Sequence, residues 1–179
     1  IRDTQRIEPP KRPEEGYQLS RDLADQCIGW IHTQKAIAPD RPFMAYLSMG
    51  AAHAPHQPPL DWRGRNAGRF SMGWDKYREQ VHAEQIKRGV IPAGTRLTPR
   101  PEQIPSWDSQ PEAHRKLFSL QAEVYADFLE HADFETGRVV DAIEKMGEFD
   151  NTLVVYIIGD NGSSAEGSLV GTPNELMNL

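Results

Sequence analysis

The sequence predicts an α/β fold: part of a mostly parallel sheet flanked by helices and interrupted by a long irregular insertion. Three observations lead there. Residues 43–49 and 152–158 are short apolar runs of strand length, helical apolar spacing precedes each of them, and a proline-rich stretch lies between.

Residues 1–16 are polar and proline-containing and are expected to form an extension or linker. Residues 17–53 hold a helix and a strand. Ser20 can cap a helix running to about Lys35, with Asp22 in the first turn, where a carboxylate complements the helix dipole. Pro39-Asp40-Arg41-Pro42 stops it. Phe43 to Met49 is then nearly continuously apolar, the pattern of a strand buried on both faces of a parallel sheet.

Residues 54–113 form the insertion. Prolines at 55, 58, 59, 92, 99, 101, 105 and 111 break regular structure there, except for a helix from Trp74 to Arg88 that Gly89 ends. Unstructured segments of this length are uncommon in compact domains, and Trp62, Trp74 and Trp107 predict that it is packed. Residues 114–179 hold a helix, a strand and a terminal loop. Leu117, Leu120, Val124, Phe128 and Ala132, then Val139, Val140, Ile143 and Met146, keep helical spacing, as one long helix or two joined near Gly137. Gly147 closes it, and Thr152 to Ile158 is the second strand. Together these segments read as one incomplete catalytic domain.

With 179 residues, 38% of them hydrophobic, the chain can bury one modest core. A formal charge of −6 and no clustered Lys/Arg face exclude a nucleic-acid partner. No apolar stretch approaches the roughly 20 residues that span a bilayer. The chain opens at Ile1 rather than Met and without a secretory leader, so its natural start is expected to lie upstream. Periplasm and cytoplasm both stay open, as does the oligomeric state. A single cysteine, Cys27, excludes an internal disulfide; sharing a helical face with Leu23, Ala24, Ile28 and Ile31, it reads as a buried structural thiol.

In open α/β sheets ligands bind beyond the carboxyl ends of the strands. The first strand runs into Gly50-Ala51-Ala52-His53-Ala54-Pro55-His56-Gln57 and the second into Gly159-Asp160-Asn161-Gly162. Asp160 and Asn161 offer the hard oxygen donors that calcium or magnesium prefers, although Asp-Asn-Gly is also ordinary turn chemistry. His53, nearer the strand end, is the candidate general acid or oxyanion contact; His56 is expected to pack. His131 and Asp133 are expected on a solvated or interface face of the long helix. Glu166, Thr172 and Glu175 belong to a Gly/Ser-rich terminal loop that is read equally as the border of a substrate cleft or as a mobile loop, and the Arg and Lys groups from Arg63 to Arg88 read as a solvated, mixed-charge surface.

Several segments then resemble, in order from Tyr17 onward, bacterial arylsulfatases of the alkaline phosphatase superfamily. They are Ala52 to Pro59, Gly73-Trp74-Asp75-Lys76-Tyr77-Arg78, Gly89-Val90-Ile91-Pro92, Glu123-Val124-Tyr125-Ala126, Gly137-Arg138-Val139-Val140-Asp141, and Asp150-Asn151-Thr152 leading to Gly159-Asp160-Asn161-Gly162. The resemblance implies an alkaline-phosphatase-like sheet in a parent protein that hydrolyses sulfate monoesters, with a small-molecule sulfate ester as its partner. It implies that Asp160 and Asn161 ligate calcium, with magnesium as the alternative, and that His53 contacts the sulfate or assists the departing alcohol.

The family's nucleophile is a formylglycine made in a Cys/Ser-x-Pro-x-Arg motif. That motif does not occur here: Cys27 is followed by Ile28, Gly29 and Trp30, so formylglycine is expected in a segment preceding this one. The fragment alone is accordingly expected to be inactive and to bind calcium weakly. A phosphonate monoester or phosphodiester hydrolase of the same superfamily, or a non-catalytic remnant, are the alternative readings.

Overall fold

The structure is a computed structural model that describes residues 4–159 and 170–172. Its framework is a pair of packed helices, α1 over Leu19–Ile37 and α3 over Glu112–Lys145, with a shorter helix, α2 over Gly73–Lys87, between them in the chain. Helix α1 begins slightly before its sequence signature. Gln18, not Ser20, caps it: the Gln18 side-chain oxygen accepts from the Arg21 amide at 3.0 Å, and Ser20 is buried in the first turn. Tyr17 secures this entry by donating its hydroxyl to Asp22 at 3.0 Å.

Ala24 and Ile31 of α1 meet Val139 and Ile143 of α3 in the buried core, with Cys27, Ile28, Phe43, Leu47, Met49 and Met146 packed around them. Cys27 is thus half-buried rather than fully buried, and desolvation pushes its thiol pKa up, which suits an inert structural thiol. Charge closes the rim of the same interface. Arg138 pairs with Asp25 at 2.6 Å and with Glu135, while Arg21 reaches Glu135 at 3.3 Å. Because these contacts bracket Gly137, α3 runs through that glycine as one helix; the roughly 1 kcal/mol propensity cost is met by tertiary packing.

The proline-rich insertion is packed, as its tryptophans predict. Trp74, Trp107 and Phe118 form an aromatic cluster with ring centroids 4.9 to 6.5 Å apart. Around it, Trp74 donates its indole N–H to the Pro105 carbonyl, and Arg78 bonds Thr98. Asp75 accepts from the Trp107 amide at 2.9 Å and from Arg100 at 2.7 Å, and these two contacts hold its carboxyl below the usual range.

The two predicted strands differ most from expectation. Among the described residues, 43–49 and 152–158 join no strand ladder, and no backbone hydrogen bond links them to one another. The reason is physical: among the described residues no neighbouring strand lies beside either run, the first rests one side on the helix core, and the second is exposed from Leu153 to Ile158. Met44 is 84% exposed, Leu153 89% and Ile157 82%, whereas Phe43, Leu47 and Met49 turn inward. The described residues also contain no helix long and apolar enough to cross a membrane.

Candidate functional site

His53 sits in the turn that follows the 43–49 run, exposed at the surface. Its amide donates to the Gly50 carbonyl at 2.9 Å, and its ring Nδ1–H donates to the Ala54 carbonyl at 2.7 Å. A carbonyl can only accept, so Nδ1 carries a proton in this arrangement. The flanking Ala51–Ala52 and Ala54–Pro55 peptide bonds are cis. His56 packs: its ring stands edge-on to Tyr125 at 5.1 Å and tilts against Phe128 at 6.2 Å.

Asp160, Asn161, Glu166 and Glu175 lie outside the described residues. Thr172 is described and half-buried. Just before it, the Val170 carbonyl accepts from Gln121 at 2.9 Å, so residue 170 lies against the long helix. Asp133 is exposed, as expected, and accepts the Tyr156 hydroxyl at 3.2 Å, which ties the second apolar run to α3. The basic groups of the insertion lie at the surface, as expected, with Arg78 alone half-buried. Lys87 and Arg88 pair with Glu84 in solvent, and the exposed Arg65 also lays its guanidinium over the Trp62 ring at 3.8 Å.

Of the two faces expected for His131, solvated or interface, the structure shows a packed one. His131 is 0% exposed, pressed edge-on against Trp62 at 5.1 Å, with Glu135 Oε1 3.1 Å from Nε2 but neither ring nitrogen in an aligned hydrogen bond. Tertiary packing of Trp62 from the insertion covers a face that, on the isolated helix, would be solvated. Desolvation pushes the His131 pKa below 6.5 and Arg21 adds to this, while the Glu135 carboxylate opposes it. The unfolded chain therefore binds the extra proton first, so the stability linked to this group is whole above about pH 6.5 and declines as pH falls below it. The urea midpoint of the wild type is expected to drop between pH 7 and 5.5. His131→Phe, which keeps a ring against Trp62, should flatten that slope; an unchanged slope contradicts the assignment.

Asp127 was not legible as a special residue in the sequence. It is 1% exposed and has no ion-pair partner among the described residues. Its carboxylate instead accepts from the Gly64 amide at 2.7 Å, the Asn66 amide at 3.0 Å and the Asn66 side-chain amide at 2.9 Å. The available signal was an acid set beside Val124 and Phe128 in the apolar stripe of α3, where an unpaired charge is costly.

Among the described residues no group of three or more His, Cys, Asp or Glu side chains is placed to hold a metal ion. Open clefts of about 370 Å³, beside Trp107 and Lys116, and about 220 Å³, beside Trp30 and Arg41, do not include His53.

Two packed helices, two unpaired apolar runs and an exposed histidine turn do not by themselves define an activity. Comparison with known proteins gives the family. The sulfatase family model matches residues 2–177, and the chain belongs to the sulfatase family. It is 36% identical over 131 residues to an uncharacterized sulfatase of Schizosaccharomyces pombe, covering 72% of this chain and 23% of that protein. It is 27% identical over 166 residues to an arylsulfatase of Klebsiella aerogenes, covering 93% and 34%, and 24% identical over 157 residues to the uncharacterized sulfatase YdeN of Escherichia coli, covering 88% and 19%. The chain thus spans about a fifth to a third of the length of the curated relatives it matches. Membership supports the α/β class.

Proposed function

We propose that the protein containing this chain hydrolyses sulfate monoesters, aryl sulfates among them, and that the chain supplies one part of the catalytic domain. The observation that carries this reading is the family match from residue 2 to 177, which includes both the His53 turn and the Asp160-Asn161 pair. In this reading residues 43–49 and 152–158 are strands of a sheet completed by the rest of the protein. Period-two exposure supports it: Leu153, Val155 and Ile157 are each more exposed than the Val154 and Tyr156 between them.

The chemistry follows from the donors. Asp160 and Asn161 offer a carboxylate and an amide oxygen, a set suited to calcium and, less well, magnesium. Such an ion would polarise the sulfate group and hold one of its oxygens. Without any Cys/Ser-x-Pro-x-Arg motif among its 179 residues, the chain is not the source of the formylglycine nucleophile in this scheme. His53, its Nδ1–H engaged by the Ala54 carbonyl, would act as the imidazolium, whose Nε2–H donates to a sulfate oxygen or passes its proton to the departing oxygen and leaves the ring neutral.

Testing this requires His53→Ala in the whole protein and a series of aryl sulfates whose phenols differ in acidity. If His53 is the proton donor, kcat falls about 100-fold or more for weakly acidic phenols and much less for nitrophenols, which leave without help. An equal loss across the series would assign His53 to sulfate contact, and no loss would remove it from the site.

A further inference from the structure

Residues 60–72 of the insertion run along α3 as a chain of successive turns, in which Trp62, Ala67, Arg69, Ser71 and Gly73 donate their amides back to carbonyls three residues earlier. The alternate amides, Gly64, Asn66 and Gly68, point the other way and meet carboxylates of α3. Asp127 takes Gly64 and Asn66, Glu123 takes Gly68 at 2.8 Å, and the Asn66 side chain also donates to Glu130 at 3.0 Å. Glu123, Asp127 and Glu130 share one helix face, since residues four and seven apart line up along the axis. Positive φ at Gly64 (83°) and Gly68 (78°) forms the turns that separate the two sets of amides.

Asp127 is the centre of this clamp because it is the buried member, its charge met by N–H donors in place of a cation, and charge-assisted bonds of this kind are the stronger ones. The clamp continues toward the candidate site. His56 rests on Tyr125 and Phe128, the residues that bracket Asp127, and His53 precedes His56 by one short turn.

We propose that Asp127 is a positioning residue: by fastening the 60–72 segment to α3 it sets the placement of the His53–His56 turn, and so of His53 toward the departing oxygen. The inference rests on the sulfate-ester reading above. Asp127→Asn keeps the shape but puts an amide N–H against a backbone N–H, either at Gly64 or at Asn66. Glu123→Ala, at the exposed end, frees the Gly68 amide alone and is a milder variant that leaves the helix interface intact.

Two measurements on the whole protein separate the possibilities: hydrogen exchange of the peptide spanning 60–72, and kcat and KM over the same phenol series. Exchange there should accelerate about tenfold or more in Asp127→Asn, the factor matching one hydrogen bond's net contribution, and less in Glu123→Ala. With the α1–α3 interface still protected, kcat should fall about 100-fold for weakly acidic phenols, in keeping with a slight misplacement of a catalytic group, and KM should change little. Fast exchange at 60–72 with unchanged kcat overturns the positioning role and leaves the sulfatase reading intact. Unchanged exchange in both variants overturns the clamp itself. If Asp127→Asn does not fold, Glu123→Ala decides alone, by the same pair of readouts at smaller amplitude. A wild type without turnover of any aryl sulfate sinks the underlying reading before a variant is made, and the positioning role with it.

Discussion

Replacing Gly73 by alanine is expected to destabilise the chain by about 3 kcal/mol or more, the sum of backbone strain and overpacking at one position. Gly73 has φ of 81°, a conformation that alanine adopts only with strain. A Cβ built there lies 2.2 Å from two ring atoms of Trp107 and 2.5 Å from a third. The indole has little room to retreat: it is buried, its amide is bound by Asp75, and Trp74 and Phe118 crowd its ring. Urea unfolding followed by tryptophan fluorescence measures the loss. A cost below about 1 kcal/mol would mean that Trp107 moves aside and that the cluster is looser than its geometry. Gly89 serves as the comparison, since its φ is also positive, at 71°, but nothing lies within 4 Å of its Cβ position, so Gly89→Ala carries the strain without the clash.

Such local packing shows why the helices were easier to read than the strands. The α1 and α3 stripes could be read because each buries its own apolar face against the other within this chain. Both helix ends marked by Gly89 and Gly147 have positive φ at those glycines. The cap of α1 was misplaced because a Gln side chain did the work usually left to Ser, and sequence preference alone favours Ser. A strand, by contrast, is completed by its neighbours. Residues 43–49 and 152–158 have strand composition, but pairing partners are a property of the surrounding sheet, and none lies among the described residues.

In the whole protein, the double substitution Asp160→Ala with Asn161→Ala is expected to lower kcat/KM for an aryl sulfate about 1000-fold or more, since a Lewis-acid metal contributes several kcal/mol to such a reaction. It should also weaken calcium binding, because the pair carries a formal charge and a neutral oxygen donor that together replace part of the ion's hydration shell. Calorimetric calcium titration and steady-state turnover check the two halves, with circular dichroism to verify that the variant is folded. Full activity in a folded variant would reduce Asp-Asn-Gly to the turn chemistry that its composition equally allows.

The candidate site was legible to uneven depth. His53 was marked by its place at the end of an apolar run, and His56 by the proline-bounded turn that holds it. Asp127 and His131 were hidden for one shared reason. Both lie on α3 at positions that become buried only when the insertion folds back over them, Trp62 onto His131 and Gly64 to Asn66 onto Asp127. Spacing along a helix reports which residues share a face. It does not report what distant segment will cover that face.

The most direct test of the central claim is the rate at which the whole protein, purified with calcium, releases nitrophenol from nitrophenyl sulfate compared with a nitrophenyl phosphonate and a bis-nitrophenyl phosphate. The sulfatase reading predicts that the sulfate ester is turned over with the highest kcat/KM and that inorganic sulfate appears in equal amount. Preference for either phosphorus ester, or no turnover of the sulfate, would contradict it.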